Sequence, residues 1–148
     1  GRGAGHYAAC REALLGLRPS EATPDLAEIF RHLRAQLRQR ALLFFLTDLS
    51  DPVLAEDFSL HIRTLARQHL VLVGQLQAPE VAPLFAGPEV TADGEVYERL
   101  AGHARWAEAQ AIGRKLKPQG VTALLIKDET MAVQLVTKYL EVKRRQAL

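Results

Sequence analysis

Three stretches of this chain are apolar at nearly every position. The segments between them turn apolar only every third or fourth residue. ALLFFLT (residues 41–47), LVLVGQL (70–76) and VTALLIK (121–127) have the length and composition of strands covered on both faces. The other segments predict five helices. HYAACREALLGL has the spacing of a short helix broken near Gly16. TPDLAEIFRHLRAQLRQR predicts a longer one: Thr23 can cap it, Pro24 suits its first turn, and Asp25 and Glu28 favour its positive end. Its stripe is Leu26, Ile29, Phe30, Leu33 and Leu37. A third helix is expected over residues 52–68, with Leu54, Phe58, Ile62 and Leu65 inward. A loop with Pro79, Pro83 and Pro88 leads to a long helix over residues 93–117, and Gly120 ends that region. A closing helix covers residues 129–145, with Met131, Leu135, Tyr139 and Val142 on one face.

Apolar strands alternating with helices predict parallel strands joined by right-handed crossovers. The expected class is α/β: a three-layer, Rossmann-like open parallel sheet, partial, with three strands (41–47, 70–76, 121–127) and five helices. In such sheets the functional crevice lies at the carboxyl ends of the strands. Asp48, Asp51, Gln75, Gln77, Lys127 and Asp128 are placed there. Asp51 followed by Pro52 is a helix start, with Asp as cap and Pro in the first turn. Asp128 suits the same role for the last helix. Asp48 lies before the cap, at the strand tip, where capping does not require it. It is the candidate functional carboxylate.

Composition narrows the classes. The 148 residues are 48% hydrophobic and 24% charged, which suits one domain with a real core. A net charge of +2 is too slight to argue for nucleic acid. No apolar run reaches about 18 residues, the length that spans a bilayer. No signal peptide opens the chain, and the expected location is cytoplasmic. The single cysteine, Cys10, excludes an internal disulfide and fits a reducing compartment. Its apolar helical setting predicts a buried small residue. The start, GRGAGHY, lacks a methionine and reads as cut from something longer.

LLFFLTDLSD resembles the fourth-strand motif of von Willebrand factor A-type domains, an apolar strand ending in Thr-Asp-Gly. SEATPDLAEIF resembles the segment in which those domains place a threonine before a helix. LARQHLVLVGQLQAPEVAPL and VTKYLEVKRRQAL are similar to the C-terminal half of a bacterial family called domain of unknown function fifty-eight. Members contain an A-type domain and are often encoded beside MoxR-type AAA+ ATPases. The resemblance covers nearly the whole chain. It implies a non-catalytic protein-binding module working with such an ATPase on client proteins, from a parent anchored in the inner membrane.

A-type domains hold Mg²⁺ in a metal-ion-dependent adhesion site built from three loops. Mg²⁺ takes hard oxygen ligands in an octahedron and leaves a position for a partner's carboxylate. By position, Thr23 matches the second loop and Asp48 the third, with Ser50 and Asp51 as neighbours. Leu49 replaces the motif's glycine, and the first loop's Asp-x-Ser-x-Ser is missing, since Pro52 breaks the nearest string, DLSDP. The resemblance therefore implies that the first three strands lie upstream. Residues 1–148 form one domain, the C-terminal part of a larger one, with Mg²⁺ expected in the full protein and none in this piece. Strand 41–47 is then expected to have a bare outer edge, and the chain to form a homodimer there.

Other readings attach to the same residues. TDLSDP has the Asp-Leu-x-x-Pro shape of a receiver-domain phosphoacceptor, with Asp48 as acceptor and Lys127 as the matching lysine. No acidic pair ends a preceding strand, and the span from Asp48 to Lys127 is long for a receiver. Ser50 lacks the elbow of a hydrolase nucleophile. His61 and His69 stand eight residues apart and do not pair as ligands. His32, His103 and the arginines of RHLRAQLRQR are read as solvated, and Trp106 as a packing residue.

Overall fold

A computed structural model describes residues 3–87, 93–127 and 130–144. Pro88, Asp128 and its expected cap, Glu129 and Arg145 lie outside them. The predicted class holds. Strands β1 (Leu42–Thr47), β2 (Leu70–Gln77) and β3 (Val121–Lys127) form one parallel sheet in the order β1-β2-β3. The helices are α1 (Ala4–Leu15), α2 (Leu26–Gln36), α3 (Pro52–Ala66), α4 (Asp93–Leu116) and α5 (Met131–Arg144).

The register sets Phe45, Val73 and Ala123 in one row across the sheet. Strand side chains alternate between faces, so Leu43, Val71 and Val121 share that side. These residues meet Phe30 of α2, Phe58, Ile62 and Leu65 of α3, and Ile112 and Leu116 of α4 in one core. Phe30, Phe45 and Phe58 make its centre. Phe30 stacks on Phe45 at 5.4 Å and meets Phe58 edge-on at 5.5 Å, and Phe45 meets Phe58 edge-on at 5.6 Å. Edge-to-face and offset pairs add roughly 0.5–1.5 kcal/mol each beyond the area they bury.

The opposite face is covered less. α5 packs on β3, where Ile126 is buried, but Leu46 of β1 is 52% exposed. A Cβ on Gly74 would press on Ile126, Phe44 and Leu46, so this glycine lets three neighbours close over β2. β1 pairs only with β2, so its outer edge has no strand beside it among the described residues. His69, buried at the end of α3, accepts a hydrogen bond at Nδ1 from the Ala41 amide (3.2 Å). Leu70 N–H donates to the Ala41 carbonyl, tying the starts of β1 and β2 together.

The ends of the helices bring corrections. Asp25, not Thr23, caps α2: its carboxylate accepts from Glu28 N–H at 2.8 Å. Asp25 and Glu28 have the spacing of a capping box, and Thr23 stands two residues too early. α2 also stops at Gln36, because Leu37 is extended. The chain needs residues 37–41 to reverse direction into β1. Ile29 faces outward, as does Tyr139 on α5. Cys10 is exposed rather than buried, because the apolar residues of α1 spread around the helix and give it no buried face. Its Sγ lies 3.7 Å from His6 Nε2.

Asp51 is the cap expected of it. Its carboxylate accepts from Leu54 N–H at 2.8 Å and Pro52 takes the first turn. Asp51→Ala is therefore expected to lower the unfolding free energy by about 0.5–2 kcal/mol in urea denaturation. Asp48→Asn should stay within about 0.5 kcal/mol of the parent, because an amide oxygen can still serve its one local partner, the Ser50 amide. Equal losses at the two positions would refute this division.

Candidate functional site

β1 and β2 run side by side until β1 ends with Thr47 opposite Gln75, and β2 continues to Gln77. Beyond them, α3 starts at Pro52 and the loop after β2 turns across to α4. A crevice of about 380 Å³ opens between these parts. Asp48 and Ser50 line it from the tip of β1, Gln75 and Gln77 from β2, and Arg105 and Glu108 from α4. Leu49, Leu76, Val81, Ala109 and Ile112 give it an apolar wall.

Asp48 is exposed. Its Oδ1 accepts from the Ser50 amide at 2.9 Å, a local turn that holds the carboxylate beyond the strand end. Gln75 is only 5% exposed, and its Oε1 is sealed from solvent with no hydrogen-bond partner. A buried amide oxygen with nothing donating to it would cost on the order of 1–3 kcal/mol. Gln77 donates from Nε2 to the Val81 carbonyl, which fixes the turn after β2.

The far wall depends on Gly102 of α4. It is buried, and a Cβ there would collide with the Glu80 carbonyl oxygen. The loop therefore rests directly on the helix backbone. Leu84 N–H donates to His103 Nδ1 at 3.2 Å, and Arg105 faces Glu80 at 3.8 Å. His103, expected to be solvated, is half-buried as an anchor for this loop and stacks on Trp106 at 5.6 Å.

The crevice brings Asp48, Ser50, Gln75 and Gln77 together, as their places at strand ends imply. Thr23 is exposed before α2 and is not part of its lining, nor is Asp51. Lys127 ends β3, with β2 between it and β1, and does not line the crevice either. Among the described residues, no three His, Cys, Asp or Glu side chains gather as a metal-binding group. Asp48 and Thr23 alone are a poor donor set for Mg²⁺, which demands near-octahedral oxygen ligation. Arg105 and Glu108 do not stand out by themselves. Arg105 has a signal in the spacing of Gly102, Arg105, Ala109, Ile112 and Leu116, three and four residues apart along one helical face, and Glu108 lies beside that series.

No family model, no curated protein and no solved structure matches this chain. No helix among the described residues is long and apolar enough to cross a membrane.

Gly102→Ala is expected to push the loop off α4 and cost about 1–3 kcal/mol in denaturant, as overpacking does. Hydrogen exchange at the Leu84 amide, which the His103 bond protects, should quicken at the same time. Unchanged exchange at Leu84 would show that the loop does not depend on this contact.

Proposed function

We propose that the chain is a non-catalytic protein-binding module of von Willebrand factor A type, from the bacterial family its sequence resembles. In this reading it works in the cytoplasm with a MoxR-type AAA+ ATPase in assembling or maturing client proteins. The observation that carries the reading is the crevice at the carboxyl ends of β1 and β2, with Asp48 at the strand tip. Parallel α/β sheets place ligands there. Asp48 is held by one local hydrogen bond and serves no cap, so its carboxylate is available to a partner. The resemblance assigns Asp48 and Thr23 to a Mg²⁺ site in the whole A-type domain. The chain itself brings too few oxygen ligands, so its partner contact runs through Asp48 directly.

Titration calorimetry should then give no sub-millimolar Mg²⁺ binding. Surface plasmon resonance against the purified MoxR-type ATPase of the same genome should give saturable binding, weakened about tenfold or more by Asp48→Ala. Tight Mg²⁺ binding lost in Asp48→Ala overturns the first expectation. ATPase binding that is absent, or indifferent to Asp48, overturns the reading.

The bare edge of β1 supports a second proposal, a homodimer. Leu42, Leu43, Phe44, Phe45 and Leu46 carry no charge or proline, the usual protections of an edge. A second copy offers the same strand, and antiparallel pairing of the two edges about a twofold axis would satisfy both. Light scattering at tens of micromolar should give twice the chain mass, and Phe44→Lys should return the monomer. A clean monomer for the parent chain sinks the proposal.

A further inference from the structure

The geometry points to the occupant of the strand-end crevice: the side chain of a lysine or arginine from a partner protein. This rests on the reading above that the crevice is the binding site, and it names the chemistry the site accepts. Two carboxylates line it, Asp48 and Glu108, and its one guanidinium, Arg105, already faces the Glu80 carboxylate. The lining thus has a surplus of negative charge in a chain whose net charge is +2. Gln75 is an independent observation. It is only 5% exposed, it lines the crevice, and its side-chain oxygen has no protein partner. A half-turn of the amide exchanges oxygen and nitrogen in the same space, so the oxygen can be offered to a guest that donates.

The rest of the wall decides between kinds of cation. A bare divalent ion wants several oxygen ligands and its own waters. Here the acceptors share the crevice with Leu49, Leu76, Val81, Ala109 and Ile112. Such a surface fits a cation with an apolar stem, because lysine and arginine lay their methylenes along apolar walls and keep the charged head among acceptors. Arginine adds a planar set of donors whose geometry matches carboxylate oxygens such as those of Asp48 and Glu108.

Nitrogen-15 correlation spectra of the full chain test this, with N-acetyl-arginine methylamide and N-acetyl-lysine methylamide as probes. N-acetyl-norleucine methylamide, N-acetyl-glutamate methylamide and magnesium chloride serve as comparators. The two cationic probes should shift Ser50, Gln77 and both the backbone and side-chain amides of Gln75, and should saturate. The double variant Asp48→Asn, Glu108→Gln should weaken them about fivefold, the scale of partly exposed charge pairs. Equal binding of the norleucine probe would overturn the charge assignment. So would shifts produced only by the glutamate probe or Mg²⁺, which would leave the crevice standing as a site for something else. A folded spectrum in which no probe moves these residues would overturn both this inference and the reading it rests on.

Discussion

The contact of Phe30, Phe45 and Phe58 is the constraint on which the rest of this structure depends. It joins three successive elements, α2, β1 and α3, through one ring from each. Phe45 commits β1 to a face, and with it the alternation of every residue on that strand. The parallel register then passes the same choice to β2 and β3, which puts Val73 and Ala123 in the core. A slip of one residue would turn Phe44 inward and Phe45 outward, and would lose the two ring contacts that Phe45 makes, to Phe30 and to Phe58. Because β1 is fixed in this way, so is the point where it ends, and Asp48 is delivered to the carboxyl edge of the sheet.

Past that point two carboxylates three residues apart do different work, and the hydrogen bonds separate them. Asp51 accepts from the Leu54 amide, one of the free N–H groups in the first turn of α3, and stabilises a helix end. Asp48 meets only the Ser50 amide, a turn within its own tripeptide. The turn aims the side chain away from the helix and into the crevice lining. One of the two acids thus starts the next element, and the other stands at the strand tip in the lining of the crevice.

Much of the fold was legible because its signals are local. The apolar runs mark the strands to within a residue of Leu42, Thr47, Leu70 and Lys127. Asp51-Pro52 marks the start of α3 by itself. The cap of α2 was legible too, in Asp25 and Glu28, but Thr23 and Asp25 compete in TPD and only the position of Glu28 decides between them. The burial of Cys10 could not be read, since a short apolar helix looks the same whether or not anything packs on it. The crevice was half legible. Asp48, Gln75 and Gln77 follow from strand ends, whereas Arg105 and Glu108 reach it from a helix that begins sixteen residues after β2 ends, at Asp93. What brings them close is the loop resting on Gly102, and that contact belongs to the tertiary structure.

That loop also explains why the crevice can hold a shape at all. A connection of this length carries many backbone groups that need partners. Here the turn after β2 is closed by Gln77 on Val81, the next segment sits against the bare backbone of Gly102, and Leu84 is held by His103. Each tie uses a different kind of residue: an amide, a missing side chain, an imidazole. Together they turn a loop into a wall, set on rigid elements at both ends. A wall tied down in this way holds the polar groups that line the crevice in one arrangement.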